Sequence, residues 1–345
     1  NMAAPFAWAF VGPGHIANRF AEAVRHLSDA QLVRVAGRDR ERAQAFAQRW
    51  SQDGCAPIRT SESLQAVLDD PQVDGVYIAT PHALHATAIA QCLAAGKPVL
   101  CEKPLVPSLA IAQPLVDQSR TRGVFLMEAL WSRFLPVYDQ IGQWLAEGAI
   151  GRVRAIQSTF CFPAIFDPHS RLFAPELAGG ALLDIGIYNI SLSRWVLQIA
   201  QGECPPLLHM EVQGVLAPTG VDQRVSATLA FADGVVSQWI CAVDAVADNS
   251  LQILGERGCI QVAANFWEAQ NAVLQRPGAA DLAVCRPFAT NGFEYEIIEA
   301  IRFNQRSLNE SPRMPHSETL TTLVWIDAIR AKLGVRYPFE ADGDR

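Results

Sequence analysis

An apolar run, Phe6 to Val11, passes directly into Gly12-Pro13-Gly14-His15-Ile16-Ala17 and then into a helical pattern. No other feature limits the fold as strongly. The run reads as a strand, and the glycine that follows permits a tight turn. A second glycine lets backbone approach a pyrophosphate, and the small Ala17 lets helix pack closely on strand. The helix start then offers unpaired N–H groups to phosphate. The motif is weak as a bare string; between a strand and a helix at the head of the chain it carries weight.

The rhythm set there continues. His15 to Leu27 places Ile16, Phe20, Ala23 and Leu27 on one helical face. Gln31 to Ala36 reads as a strand and Arg40 to Trp50 as a helix. Val73 to Ala79 is a buried strand bounded by Pro71 and Pro81. Ala83 to Ala95 is a helix capped by Gly96, Pro98 to Cys101 starts a strand, Ala110 to Arg122 is a helix and Val124 to Met127 a strand. Strict alternation implies parallel strands joined by right-handed crossovers, so residues 1–127 are expected to form a doubly wound α/β sheet.

Beyond about residue 150 the period shortens. Ile156, Ser158, Phe160 and Phe162 share one face of a strand over Val153 to Phe162. Val225, Ala227, Leu229 and Phe231 alternate likewise, and Asp233-Gly234 turns the chain into Val235 to Val243. Leu251 to Leu254 and Cys259 to Val262 flank another turn. Helices are expected over Ala181 to Gln198, Glu294 to Leu308, and Glu318 to Leu333 with Ser317 as N-cap. Residues 128–345 therefore read as an α+β domain with a mostly antiparallel sheet.

A chain of 345 residues, 50% hydrophobic and 18% charged, suits two packed domains and excludes a disordered one. Its formal charge of −7 argues against nucleic-acid or anionic-membrane partners. There is no apolar run of about 18 residues and no signal-peptide order at the start, where Asn1 ahead of Met2 reads as an expression remnant. The eight cysteines show neither CxxC nor zinc-ligand spacing. A cytoplasmic protein with reduced thiols and no metal is expected.

The second strand bears on which dinucleotide is held. NAD-type versions carry an acid about 20 residues beyond the glycine loop, on the ribose 2′-OH. Here the strand ends in Val35-Ala36-Gly37-Arg38-Asp39, with Arg42 one turn on. Gly37 stands in the acid's slot, and guanidinium groups from Arg38 and Arg42 suit a 2′-phosphate, so NADP(H) is favoured over NAD(H). A one-residue shift would instead make Asp39 the ribose acid, and the two arginines could be no more than solvated charges.

A strand over Pro98 to Cys101 delivers Glu102-Lys103-Pro104 to the edge where α/β sheets bind ligands. It follows Thr80-Pro81-His82-Ala83-Leu84-His85. With the Gly12 loop, Ala95-Gly96-Lys97-Pro98-Val99 and Gly179-Gly180-Ala181-Leu182-Leu183-Asp184-Ile185-Gly186-Ile187-Tyr188, these motifs resemble the Gfo/Idh/MocA oxidoreductases across essentially the whole chain. Met127-Glu128-Ala129-Leu130-Trp131-Ser132-Arg133-Phe134-Leu135-Pro136 is similar to the dihydrodiol dehydrogenase branch. The resemblance implies a Rossmann domain followed by a substrate domain with a large open sheet, a sugar or cyclic diol as substrate, and a homodimer or higher oligomer formed through that sheet.

It also implies roles. Lys103 and Tyr188 become the catalytic pair, with Asp184 orienting substrate or pair; Asp184 could equally be a helix-start charge. Many relatives carry histidine where Tyr188 stands. A phenol with a pKa near 10 has to fall by roughly three pH units to act as a base, about 4 kcal/mol, and a nearby ammonium acts in that direction. Trp131 and Arg133 would border the substrate pocket, although Trp131 could instead pack between domains. Thr80, Pro81, His85 and Glu102 join Gly12, Gly14, His15, Ile16, Gly37, Arg38 and Arg42 around the cofactor, while His82 is structural. Other readings of the same resemblance are a non-catalytic NADP(H) sensor and a cofactor-recycling glycosidase.

Overall fold

The computed structural model describes residues 3–12 and 14–340; Asn1, Met2 and Pro13 of the readings above lie outside them. The chain divides into two compact units: residues up to Trp131 with Ala289–Leu323, and Ser132–Phe288 with the stretch from Val324 onward.

The first unit is built on a six-stranded sheet. Its strands are β1 (Phe6–Val11), β2 (Ala30–Ala36), β3 (Arg59–Ser61), β4 (Gly75–Ile78), β5 (Val99–Glu102) and β6 (Leu126–Ala129), in the order β3-β2-β1-β4-β5-β6. Every pairing is parallel. This is the dinucleotide-binding order, which reverses direction between β1 and β4 and opens a crevice at their carboxyl ends. Helices α1 (His15–Arg25), α2 (Arg40–Trp50), α3 (Leu64–Leu68), α4 (His85–Ala94) and α5 (Leu109–Arg122) connect the strands. The core under α1 is aromatic: Phe20 lies 4.2 Å from Tyr77 and 5.5 Å from Phe10, centroid to centroid.

In the second unit, α6 (Pro136–Ala146), β7 (Val153–Cys161) and α7 (Ile187–Gln201) precede a run of strands. These are β8 (Leu207–Leu216), β9 (Asp222–Phe231), β10 (Val236–Ala242), β11 (Leu251–Gly255), β12 (Cys259–Val262), β13 (Asn271–Gln275) and β14 (Leu282–Cys285). They form an eight-stranded sheet, β14-β13-β12-β11-β7-β10-β9-β8, antiparallel except where β10 lies parallel to β7. The expected alternation holds: Ile156, Ser158, Phe160, Val225, Ala227, Leu229 and Phe231 are buried. Gly234, at φ +86°, makes the β9–β10 turn. Asn189 and Ser193 of α7 bond Ser158 and Ser237 on the inner face. The outer face displays Gln157, Thr159, Thr228, Gln238, Ile240 and Gln252.

Three local expectations change. The helix predicted from Ala181 is a π-helical turn, Leu182–Gly186, leading into α7. Ser317 does not cap the last helix: α9 (His316–Leu333) starts straight after Pro315, whose carbonyl accepts from Glu318 N at 3.0 Å. Strands β8 and β13 were not legible; β8, an edge strand exposed along most of its length, lacks apolar alternation. Helix α8 (Glu294–Gln305) lies in the first unit, where it contacts α1.

Candidate functional site

At the carboxyl end of β1, Gly12 has φ +92°, and a Cβ there would lie 3.0 Å from Ala79 O and from Thr80 N. Both the backbone and the crowding by the β4 edge require glycine. Gly14 differs. Its φ of −110° suits any residue, and a Cβ would meet nothing nearer than Gly12 O at 3.9 Å. Among the described residues nothing crowds that position, which leaves room for a phosphate to approach the backbone. The first turn of α1, at His15 and Ile16, has neither a capping side chain nor an acid, so its N–H groups lack intrahelical partners and carry the positive end of the dipole. Thr80 Oγ1, at the same edge, is sealed from water without a hydrogen-bond partner. These features fit a dinucleotide pyrophosphate.

Beyond β2, Gly37 N bonds Ser61 O at 3.0 Å, and Arg38 and Arg42 are exposed. Asp39 is the N-cap of α2, with Oδ1 accepting from Arg42 N at 3.1 Å.

Lys103 follows β5 and is half-buried. Its loop is tied down by two buried side chains. His85, fully buried, sets Nδ1 2.9 Å from Pro104 O and 3.1 Å from Leu105 O, and Nε2 2.8 Å from Thr80 O. Glu128 Oε2 accepts from Leu105 N at 2.7 Å, and its Oε1 from Thr319 Oγ1 at 2.9 Å. Burial, the largest influence, pulls the His85 pKa below its ordinary value; the three carbonyls oppose this and the Lys103 charge adds to it. His85 is thus a brace between the Thr80 turn and the lysine loop. His82, beside it at 6.0 Å between ring centroids, is also buried, and Pro81 opens the short helical turn that holds both.

Glu102 accepts from Tyr77 Oη. Burial raises its pKa, against the Tyr77 bond and the Lys103 and Arg19 charges. Glu296 on α8 was not legible as part of this edge. It is completely buried, neither carboxyl oxygen has a hydrogen-bond partner, and burial followed by the Glu102 charge pushes its pKa well above the carboxylate range. Trp131, 5% exposed, packs edge-on to Phe293 at 5.0 Å, and Arg19 lies over both rings.

In the second unit, Tyr188 is in the first turn of α7, 6% exposed, with its ring 5.7 Å from Phe160, which stacks on Trp267 at 3.3 Å. Asp184, in the π-turn, is buried and takes a hydrogen bond from Arg171 Nη1 at 2.9 Å. Arg133 is 3% exposed, with Nε donating to Ser191 Oγ at 2.9 Å and Nη2 to Ser191 O at 3.1 Å, a brace on α7. Sequence reading missed Arg171, Trp267 and Asp222. Asp222 accepts from Leu182 N at 2.6 Å, and only the long reach of that bond hid it.

Comparison with known proteins accords with this architecture. Residues 6–130 match the model of an oxidoreductase family with an NAD-binding Rossmann fold, and residues 138–261 that of the GFO/IDH/MocA C-terminal domain. The chain is 34% identical to a trans-1,2-dihydrobenzene-1,2-diol dehydrogenase of Danio rerio, covering 96% of this chain and 97% of that protein. The Homo sapiens protein of that name is 32% identical, with 96% and 98% covered. A 3-ketoreductase from Actinomadura kijaniata in complex with NADP is 26% identical, with a TM-score of 0.77 over 95% of this chain and 97% of that one. An aldose-aldose oxidoreductase from Caulobacter crescentus, 22% identical, shares the fold with a TM-score of 0.83 over 96% and 98%. A Rossmann half that matches the first family model and an open-sheet half that matches the second, with relatives aligned over nearly their full length, make the chain a member of the Gfo/Idh/MocA oxidoreductase family.

Proposed function

We propose that this oxidoreductase uses NADP(H) to interconvert a secondary alcohol and a carbonyl on a sugar or cyclic trans-diol, with Tyr188 as general acid/base and Lys103 as its charged partner. The observation that carries the proposal is the placement of Lys103. It stands at the carboxyl edge of the sheet that also holds the Gly12–Gly14 turn, on a loop fixed by His85 and Glu128. Dihydrodiol dehydrogenase relatives and the ketoreductase held with NADP support the substrate class and the cofactor. Gly37, Arg38 and Arg42 support NADP over NAD, and Asp39, the other contender for the ribose, is engaged by its own helix.

When bound, the nicotinamide supplies or takes the hydride. In oxidation the substrate hydroxyl proton passes to the Tyr188 oxygen; in reduction Tyr188 returns a proton to the carbonyl oxygen. The Lys103 ammonium favours the phenolate in both directions. Asp184 orients the substrate or the pair. Trp131 and Arg133 are assigned to the substrate side by the family resemblance, and the Phe160–Trp267 stack offers a flat apolar surface. Residues 1–127 supply the cofactor site and 128–345 the substrate and oligomer surfaces. The open sheet pairs with a second copy, so sedimentation should give at least twice the mass of one chain. Cytoplasmic residence accords with the absence of disulfides among the described residues.

The test is Tyr188→Phe. NADPH titration should be unchanged and turnover across a sugar and diol panel should fall by about 10²–10⁴-fold. Full activity in the variant removes tyrosine from the chemistry. A wild-type chain that binds NADPH and turns over nothing is a sensor instead.

A further inference from the structure

We propose that Asp222 is a positioning residue for this reaction: a carboxyl from β9 that anchors the start of the turn bearing Asp184 and Tyr188 and thereby sets where the phenol stands. This rests on the reading of Tyr188 as the proton-transfer group. Asp222 is 1% exposed, and its Oδ2 accepts from Leu182 N at 2.6 Å, the first residue of the π-turn. Its Oδ1 is sealed from water without a hydrogen-bond partner. Burying a carboxyl in that state is costly, so the bond to Leu182 is maintained against a penalty.

The neighbouring backbone is shaped around it. Gly180 has φ +122°, and a Cβ there would stand 2.3 Å from Asp222 Oδ1; the carboxyl fills the room the glycine leaves. Gly180 N donates to Leu172 O at 2.8 Å, and Tyr337 Oη donates to Gly179 O at 2.7 Å. At the far end of the turn, a Cβ on Gly186 would lie 2.8 Å from Cys241 Sγ on β10. The π-turn is gripped at both ends.

A π-turn holds one residue more than an α-turn, so it needs surroundings that enforce it. If it relaxes to a regular helix, every later side chain rotates by about 100° about the helix axis. Tyr188 stands two residues beyond the turn and takes that rotation in full. An anchor on Leu182 N is therefore an anchor on the direction of the phenol.

Asp222→Ala should lower kcat by about 100-fold, as a misplaced reacting group does, with KM for NADPH unchanged. Asp222→Asn keeps an acceptor for Leu182 N and should stay within about 5-fold of wild type. Gly180→Ala, which drives a methyl into the carboxyl from the other side, should reproduce the alanine loss even if Asp222→Ala fails to fold. Hydrogen exchange should quicken over residues 179–188 in both impaired variants and stay slow in the asparagine one. Wild-type kcat in a folded Asp222→Ala or Gly180→Ala chain, or unchanged exchange over 179–188, overturns the inference. The exchange measurement needs no substrate. A wild type without turnover therefore removes the proton-transfer reading while the anchoring of the turn is still decided.

Discussion

Asp39 and Asp222 each accept a hydrogen bond from a backbone N–H at the start of a helical segment, one in each unit of the molecule. Asp39 reaches three residues along its own chain, to Arg42 N at 3.1 Å, from an exposed position. Asp222 reaches forty residues back, to Leu182 N at 2.6 Å, from a position 1% exposed. The chemistry of the two bonds is the same and their surroundings differ. Water can replace Asp39 on an exposed N–H at small cost; nothing replaces Asp222 in the interior, and desolvation lifts its pKa from the ordinary 3.8 to about 7. Backbone N–H groups of Leu182 and Ala181 and the Arg330 charge pull the other way without overcoming burial. A local device holds one helix cheaply, and a remote one holds one turn at a cost.

The same contrast separates the two residues proposed to act in the reaction. Lys103 stands at the end of a strand on a loop braced by His85 and Glu128, whereas Tyr188 lies against Phe160 beyond a turn anchored from β9. The largest effect that could break this comparison is in Lys103→Met, which keeps most of the stem and removes the charge. Turnover should drop by about 10²–10⁴-fold with little change in melting temperature. Retained turnover would reduce the first unit to a cofactor holder.

Next comes pH. Because the folded pKa of Asp222 is raised, the folded chain holds its proton more tightly than the unfolded one. Its contribution to stability is complete below pH 3.8 and is lost as pH rises through about 7. The unfolding free energy of wild type relative to Asp222→Asn should therefore fall between about pH 4 and pH 7, by a few kcal/mol at most, and level off above that. A pH-independent difference would show the carboxyl to be ordinary, and the contrast with Asp39 would vanish.

Smaller effects sharpen the picture within the first unit. Gly12→Ala, forced to φ +92° against the β4 edge, should cost on the order of 1–3 kcal/mol in denaturant titration. Gly14→Ala should leave stability alone and weaken NADPH binding by about 10-fold in calorimetry, about 1.4 kcal/mol. Equal effects of the two on stability would refute the assignment of Gly14 to a ligand. The smallest change belongs to Asp39→Ala, about 1 kcal/mol of stability with turnover intact.

Much of the molecule could be read before any coordinates. The Gly12 loop, the Thr80 turn and Glu102-Lys103-Pro104 each fall at the carboxyl end of a strand whose apolar run marks it, and those ends face one crevice because the strands are parallel. The alternation of Val225 to Phe231 and the Asp233-Gly234 turn were equally plain. Less could be read where exposure or distance erased the pattern. Strand β8 is an edge with few buried positions, so it carries no periodic signal. The π-turn looks like the opening of a plain helix, because the extra residue leaves no mark in composition. The neighbours against which Trp131 and Arg133 are buried, Phe293 and Ser191, left no local signal either.

What the sequence determined by itself was most of the strands, the glycine turns, and the order in which strands and helices alternate. Those depend on φ preferences, apolar period and the next few N–H groups along the chain. The tertiary structure alone decided which buried acids meet which backbone. Asp222 came to lie under Leu182 N, Glu128 under Leu105 N, and Glu296 beside the edge that carries Glu102. A hydrogen bond in a dry interior depends on distance in space, and a chain folded into two sheets makes neighbours of residues far apart along it.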